Sequence, residues 1–156
     1  MRQPLLGHSA CNIVILVRVV LDTDVMVAAL RSAHGAARQC LMLGFEGRIT
    51  LVVSAPLMFE YEAVLTRPEH LAASGASAMD VGVILDDLAA CAEPVRLDFL
   101  WRPLLRDADD EMVLETAVNG RADALATFNL ADFAATAARF GIRALRPADL
   151  LRALEA

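Results

Sequence analysis

The sequence predicts an α/β fold: a three-layer α/β/α sandwich around a central, mainly parallel sheet of four or five strands. Three observations predict it. Short β-branched apolar runs alternate with stretches of helical periodicity, turn and capping residues fall at the junctions, and 156 residues at 57% apolar content suffice for one buried core. Residues 1–12 read as an N-terminal tail and 13–156 as a single domain, with no internal repeat or linker.

The first element is Ile13 to Leu21, IVILVRVVL, the nearly continuous β-branched run expected of a central parallel strand covered on both faces. Asp22 ends it. From Gly35 to Gly47, the residues Ala37, Cys40, Leu41 and Leu43 recur at helical spacing before a closing glycine, so a helix is predicted. Ile49 to Val53 is the second strand. Ser54 caps the next helix, with Pro56 in its first turn and Arg67-Pro68 stopping it near Thr66. The small residues from Ala72 to Ala78 predict a loop. Val81, Ile84, Leu85 and Leu88 share one face of a helix from Met79 to Ala92, and Pro94 to Leu97 reads as a short edge strand.

Asp107, Asp109 and Asp110 cluster where negative charge favours a helix start, and that helix continues to Asn119-Gly120. Asp123 to Thr127 is a strand, Ala131 to Phe140 a helix, and Ile142 to Leu145 a further strand. Pro147 opens the last helix.

Composition then excludes several chemistries. All 14 basic residues are arginine. A Walker A loop, a Schiff-base enzyme and a Ser-Lys hydrolase each need lysine, so all three are out. No GxSxG is present, and His8, His34 and His70 lack the HxxxH or HxH spacing of a zinc site. The formal net charge of -6 opposes a protein that holds nucleic acid by a bulk positive field, but not one that holds a divalent cation. Cys11, Cys40 and Cys91 form no CxxC and are odd in number, as expected in a reducing cytoplasm. The run at 13–21 is too short to span a bilayer, and no export-signal pattern precedes it, so a cytoplasmic location is expected.

Ligands of parallel α/β sheets bind beyond the carboxyl ends of the strands. Asp22 follows the first strand, Asn129 follows the DALAT strand, Asp110 opens the helix before that strand, and Glu60 lies in the helix after the second strand. Four oxygen-bearing side chains from four segments are thereby expected at one sheet edge, a donor set suited to Mg²⁺ or Mn²⁺ rather than zinc. Each also has an ordinary alternative: Asp22 as a helix cap, Asp107, Asp109 and Asp110 as an acidic first turn, Asn129 as a turn residue. Glu60 competes with Glu62, whose carboxylate faces a different side of the same helix.

The segments VVLDTDVMVAAL, SAPLMFEYEAVLTRPEH, RDADDEMVLETA and ADALATFNLADF resemble, in order, the four signature segments of PIN-domain ribonucleases, in the branch that includes VapC-like toxins. The resemblance runs from about Val19 to Leu151. It implies an endoribonuclease dependent on Mg²⁺ or Mn²⁺, in which metal-activated water attacks an RNA phosphodiester in line. It further implies the toxin of a toxin–antitoxin pair, with a cognate antitoxin and a second copy of the chain as partners. The family's acidic metal positions fall on Asp22, Glu60 and Asp110, and its Thr or Ser beside the fourth falls on Thr127. The fourth position, usually Asp, is Asn129 here, which lowers the charge of the site by one. Asp132 is the alternative fourth ligand, and Asp24 can restore part of the charge. The implied catalytic set is Asp22, Glu60, Asp110, Thr127 and Asn129.

Two further readings stand beside this one. Asp22-Thr23-Asp24 after an apolar strand also suits a phosphohydrolase of the haloacid dehalogenase type, although that mechanism normally uses a lysine. A catalytically degenerate PIN domain that only binds a partner is compatible with Asn129. Arg31, Arg38, Arg67, Arg102 and Arg106 lie near the acidic segments and are candidates for a rim that receives RNA.

Overall fold

A computed structural model describes residues 16–100 and 102–156. Its elements run β1 (Arg18–Leu21), α1 (Thr23–Arg31), α2 (Ala36–Phe45), β2 (Thr50–Ser54), α3 (Ala55–Leu65), α4 (Pro68–Ser74), α5 (Ala78–Cys91), β3 (Glu93–Val95), α6 (Ala108–Asn119), β4 (Ala124–Ala126), α7 (Leu130–Ala138), β5 (Arg143–Leu145) and α8 (Pro147–Glu155). The strands form one five-stranded sheet in the order β3-β2-β1-β4-β5, with every pairing parallel. This is the expected three-layer α/β/α fold.

β1 is the central strand. Val19 and Val20 are fully buried and Leu21 nearly so, as a β-branched run covered on both faces requires. Val19 pairs with Leu51 on one side and Ala124 on the other, and Leu21 pairs with Ala126. Helix α2 lies close against β2, because a Cβ at Gly44 would stand 2.1 Å from Leu51 Cδ1. Pro94, which has no N–H to donate, sits in the edge strand β3, where one side of the backbone needs no partner.

Some boundaries differ from the sequence reading. The first strand begins at Arg18, since its partners β2 and β4 begin opposite Arg18 and Val19; residues 13–15 and the tail 1–12 lie outside the described residues. The loop expected from Ala72 is helical to Ser74, in a short helix with Pro68 at its start and Gly75 at φ 73 as its C-terminal cap. The edge strand is Glu93–Val95 rather than Pro94 to Leu97.

The topology also fixes where a ligand can bind. From β1 the chain builds outward through β2 to β3, then returns to lay β4 on the opposite side of β1 and β5 beyond it. The order therefore reverses between β1 and β4, and such a switch point opens a crevice at the strands' carboxyl ends. Asp22 follows β1 there, and Thr127 to Asn129 follow β4. Among the described residues no helix is long and apolar enough to cross a membrane.

Candidate functional site

Asp22 leaves β1 in an extended conformation and caps α1, its Oδ1 accepting from the Thr23 N–H at 2.7 Å. Its Oδ2 accepts from the Thr127 hydroxyl at 2.8 Å, and that same hydroxyl accepts from the Asn129 N–H at 2.9 Å. One side chain thus joins the ends of the two strands that flank the switch point. Behind them the buried Tyr61 hydroxyl donates to the Leu21 carbonyl, tying α3 to the end of β1. Asp22 is only 4% exposed. Burial pushes its carboxyl up to about 6 against the lowering effect of the Thr127 hydrogen bond, and the Asp24 charge adds to the rise.

Asp110 comes from the first turn of α6, half-buried, its carboxylate making no hydrogen bond among the described residues. Its carboxyl is pushed up to about 7, first by burial and then by the charges of Asp22, Asp107, Asp132 and Asp24. Asp107 is the helix cap, accepting from the Asp109 N–H at 2.9 Å. Glu60 is half-buried on α3.

Asp22, Glu60, Asp110 and Asn129 all line one cleft of about 210 Å³, together with Asp24, Asp107, Asp109, Arg67 and His70. Glu62 lines a separate groove between α3 and α5, and Asp132 lines another with Leu104 and Arg106. Among the described residues no three Asp, Glu, His or Cys side chains are drawn tightly around one point as a finished ion cage. The four share a cleft without meeting at one centre.

The donor set nevertheless suits a divalent cation. It consists of hard oxygens, and among the described residues no ion pair neutralises Asp22, Asp24, Glu60, Asp107, Asp109 or Asp110. Burial first, and neighbouring carboxylates second, hold Asp22 and Asp110 above the ordinary carboxyl range, and a cation in the cleft would favour their charged forms.

The arginines divide by role. Arg67 lines the cleft without an ion-pair partner among the described residues. Arg38 is bonded through Nε to the Ala29 carbonyl, and Arg102 pairs with Glu115 at 2.5 Å, so these two serve the fold rather than a rim.

Sequence reasoning missed the groups that hold α6 in place. Buried Glu111 accepts from the Leu104 N–H at 2.6 Å and the Leu105 N–H at 2.8 Å, and Thr116 Oγ1 lies 2.7 Å from Ser54 Oγ at the end of β2. The available signal was Glu111 and Glu115 one helical turn apart, with apolar Met112, Val113 and Leu114 between them.

A sequence profile of the PIN domain family matches residues 18–131. The chain belongs to the PIN domain family. PIN domains are generally nucleases and typically use divalent metal ions. Family membership sets the phosphohydrolase reading aside. Among solved structures, the chain is similar in fold to one of VapBC2 from Rickettsia felis, determined bound to a DNA fragment from their promoter. The TM-score is 0.54 at 14% identity, over 83% of this chain and 98% of that one. No curated protein matches the chain.

Proposed function

We propose that this PIN domain is an endoribonuclease dependent on Mg²⁺ or Mn²⁺ and the toxin of a toxin–antitoxin pair. The observation that carries the reading is the gathering of Asp22, Glu60, Asp110 and Asn129 in one cleft, with no ion pair on any of the three carboxylates among the described residues. Asp22, Glu60, Asp110 and the Asn129 amide oxygen would hold the ion. When bound, such an ion supplies Lewis acidity, lowering the pKa of water and offsetting the charge of a phosphodiester.

The chain's own residues supply position. Thr127 and the Thr23 N–H occupy one direction of each Asp22 oxygen and thereby orient the carboxylate. Glu111 fixes the loop that delivers Asp107 to Asp110, and Arg67 offers a guanidinium to an incoming phosphate. Thr127 is a positioning residue in this scheme.

The test is cleavage of single-stranded RNA by the full chain. Cleavage should require Mg²⁺ or Mn²⁺, stop in EDTA, and be lost in Asp22→Asn with the circular dichroism of the fold retained. Activity that survives EDTA overturns the metal reading. A chain that cleaves neither RNA nor DNA leaves the binding-only domain, a reading favoured by the uncharged amide at Asn129.

A cognate antitoxin is the proposed partner, supported by the VapBC2 likeness in fold, and co-purification with the product of an adjacent reading frame checks it. A homodimer is proposed through the face where α3 and α5 expose Phe59, Met79 and Val83, and light scattering of the purified chain checks that.

A further inference from the structure

A second groove, of about 500 Å³, adjoins the carboxylate cleft and shares Asp24 and His70 with it. Val27 and Ala28 of α1 line it, Arg31 stands in the last turn of that helix, and Phe128 completes it. Phe128 is 49% exposed. It sits between Thr127, whose hydroxyl binds Asp22, and Asn129, which lines the cleft. Phe133, five residues on, is fully buried, so the fold has room for a phenylalanine inside and leaves this one in water. A large half-exposed ring beside a strongly acidic cleft gives the fold little and gives a ligand a flat apolar face.

We propose that Phe128 is a stacking platform for one base of a single-stranded nucleic acid, which it seats beside the Asp22 cleft with Arg31 against the adjoining phosphate. The proposal rests on the nuclease reading of that cleft. Two features select this occupant. Unstacked bases are commonly held on aromatic rings with guanidinium groups nearby, and a duplex cannot offer its base faces. Arg31 and Arg67 lie on the groove and on the cleft, and neither has an ion-pair partner among the described residues, so positive charge brackets the path. In an otherwise acidic neighbourhood these two cations match a backbone that passes from one pocket into the next.

The experiment measures anisotropy of a short fluorescein-labelled single-stranded RNA with the full chain carrying Asp22→Asn, so that nothing is cleaved. Adding Phe128→Ala or Phe128→Leu should weaken binding about tenfold, and Phe128→Tyr should restore it to within about twofold, because stacking needs a ring and not merely an apolar group. Arg31→Ala should lower the salt dependence of log Kd by about one unit. With Asp22 intact, Phe128→Ala should raise KM and leave kcat nearly unchanged. Parent-like affinity in Phe128→Ala overturns the platform while leaving the nuclease reading untouched. Unchanged RNA affinity with loss of a co-purifying protein partner overturns it in favour of a protein dock. A wild-type chain that neither binds nor cleaves single strands overturns both readings.

Discussion

The Asn129 amide donates from Nδ2 to Asp132 Oδ2 at 2.6 Å. An ionised carboxylate only accepts, so this bond fixes which way the amide points and leaves its Oδ1 without a hydrogen bond among the described residues. Asn129 lines the carboxylate cleft while Asp132 lines a separate groove with Leu104 and Arg106. The arrangement supports Asn129 as the oxygen donor and Asp132 as the group that orients it.

Asn129→Asp would bring two carboxylates together where a hydrogen bond now stands. One must gain a proton or turn away, so the single variant should lose about 1 kcal/mol of stability at pH 7. Exchanging the pair, Asn129→Asp with Asp132→Asn, restores the bond and puts a charge in the cleft. Calorimetric titration should then show tighter Mn²⁺ binding in the exchanged pair than in either single variant. Equal tightening in Asn129→Asp alone would mean that the Asp132 bond has no part in presenting residue 129.

Thr127→Val keeps the shape of a fully buried side chain and removes the hydroxyl that donates to Asp22 and accepts from Asn129. Hydrogen bonds to charged groups contribute about 1.5–3 kcal/mol, so urea unfolding should show a loss of about 2 kcal/mol. The same hydrogen bond holds the Asp22 carboxyl down, so NMR titration should find it higher still in Thr127→Val. Thr127→Ser should stay close to the parent on both counts.

The parts of this fold legible in sequence are those with local causes. Ser54 accepts from the Leu57 N–H, Asp107 caps α6, and Pro147 opens α8, each as its residue type and position predict. Helix α1 enters the sequence reading only as the helix that Asp22 would cap, although it is amphipathic: Val25, Met26, Ala29 and Leu30 are buried, while Asp24 and Arg31, seven residues apart on the other side, are exposed. Asp22 and Asn129 share one cleft because the ends of β1 and β4 lie on one edge of the sheet, and Glu60 of α3 and Asp110 of the first turn of α6 line it beside them. What closes the site was less legible. Tyr61 reaches the Leu21 carbonyl forty residues away, a contact that only the packed fold creates, whereas Glu111 holds the loop six and seven residues before it, and only its place in an apolar stretch of α6 marks it as buried.

Glu111 gives a direct test of that loop. One carboxylate oxygen accepts two backbone N–H groups, and the other, Oε2, is buried with no partner among the described residues. Glu111→Ala strands both N–H groups, so a loss of about 2–3 kcal/mol is expected, with limited proteolysis opening the segment before α6 first. Glu111→Gln keeps an accepting oxygen and should cost far less. Equal losses in the two variants would show that charge, rather than the two bonds, holds the loop.

The carboxyls of Asp22 and Asp110 make a prediction about pH whose sign is fixed by linkage. Ordinary aspartates release their protons near 4, whereas these two hold theirs to about 6 and about 7 in the folded chain. Between those limits the folded state binds more protons than the unfolded one, so stability falls as pH rises. The favourable contribution is complete below about 4 and lost above about 7. Glu93, held down by its hydrogen bond to Arg18, acts in the opposite direction but only at lower pH. Guanidinium unfolding in EDTA should therefore give lower stability at pH 8 than at pH 5, and Asp110→Asn should be more stable than the parent at pH 8 with a shallower slope. A divalent cation favours the charged carboxylates, so Mn²⁺ should stabilise the chain more at pH 8 than at pH 5 and displace protons near pH 6.5. Calorimetry in buffers of different ionisation enthalpy measures that release. Stability that climbs steadily to pH 8 in EDTA, or Mn²⁺ binding without proton release, would mean that the cleft does not hold these two charges in competition.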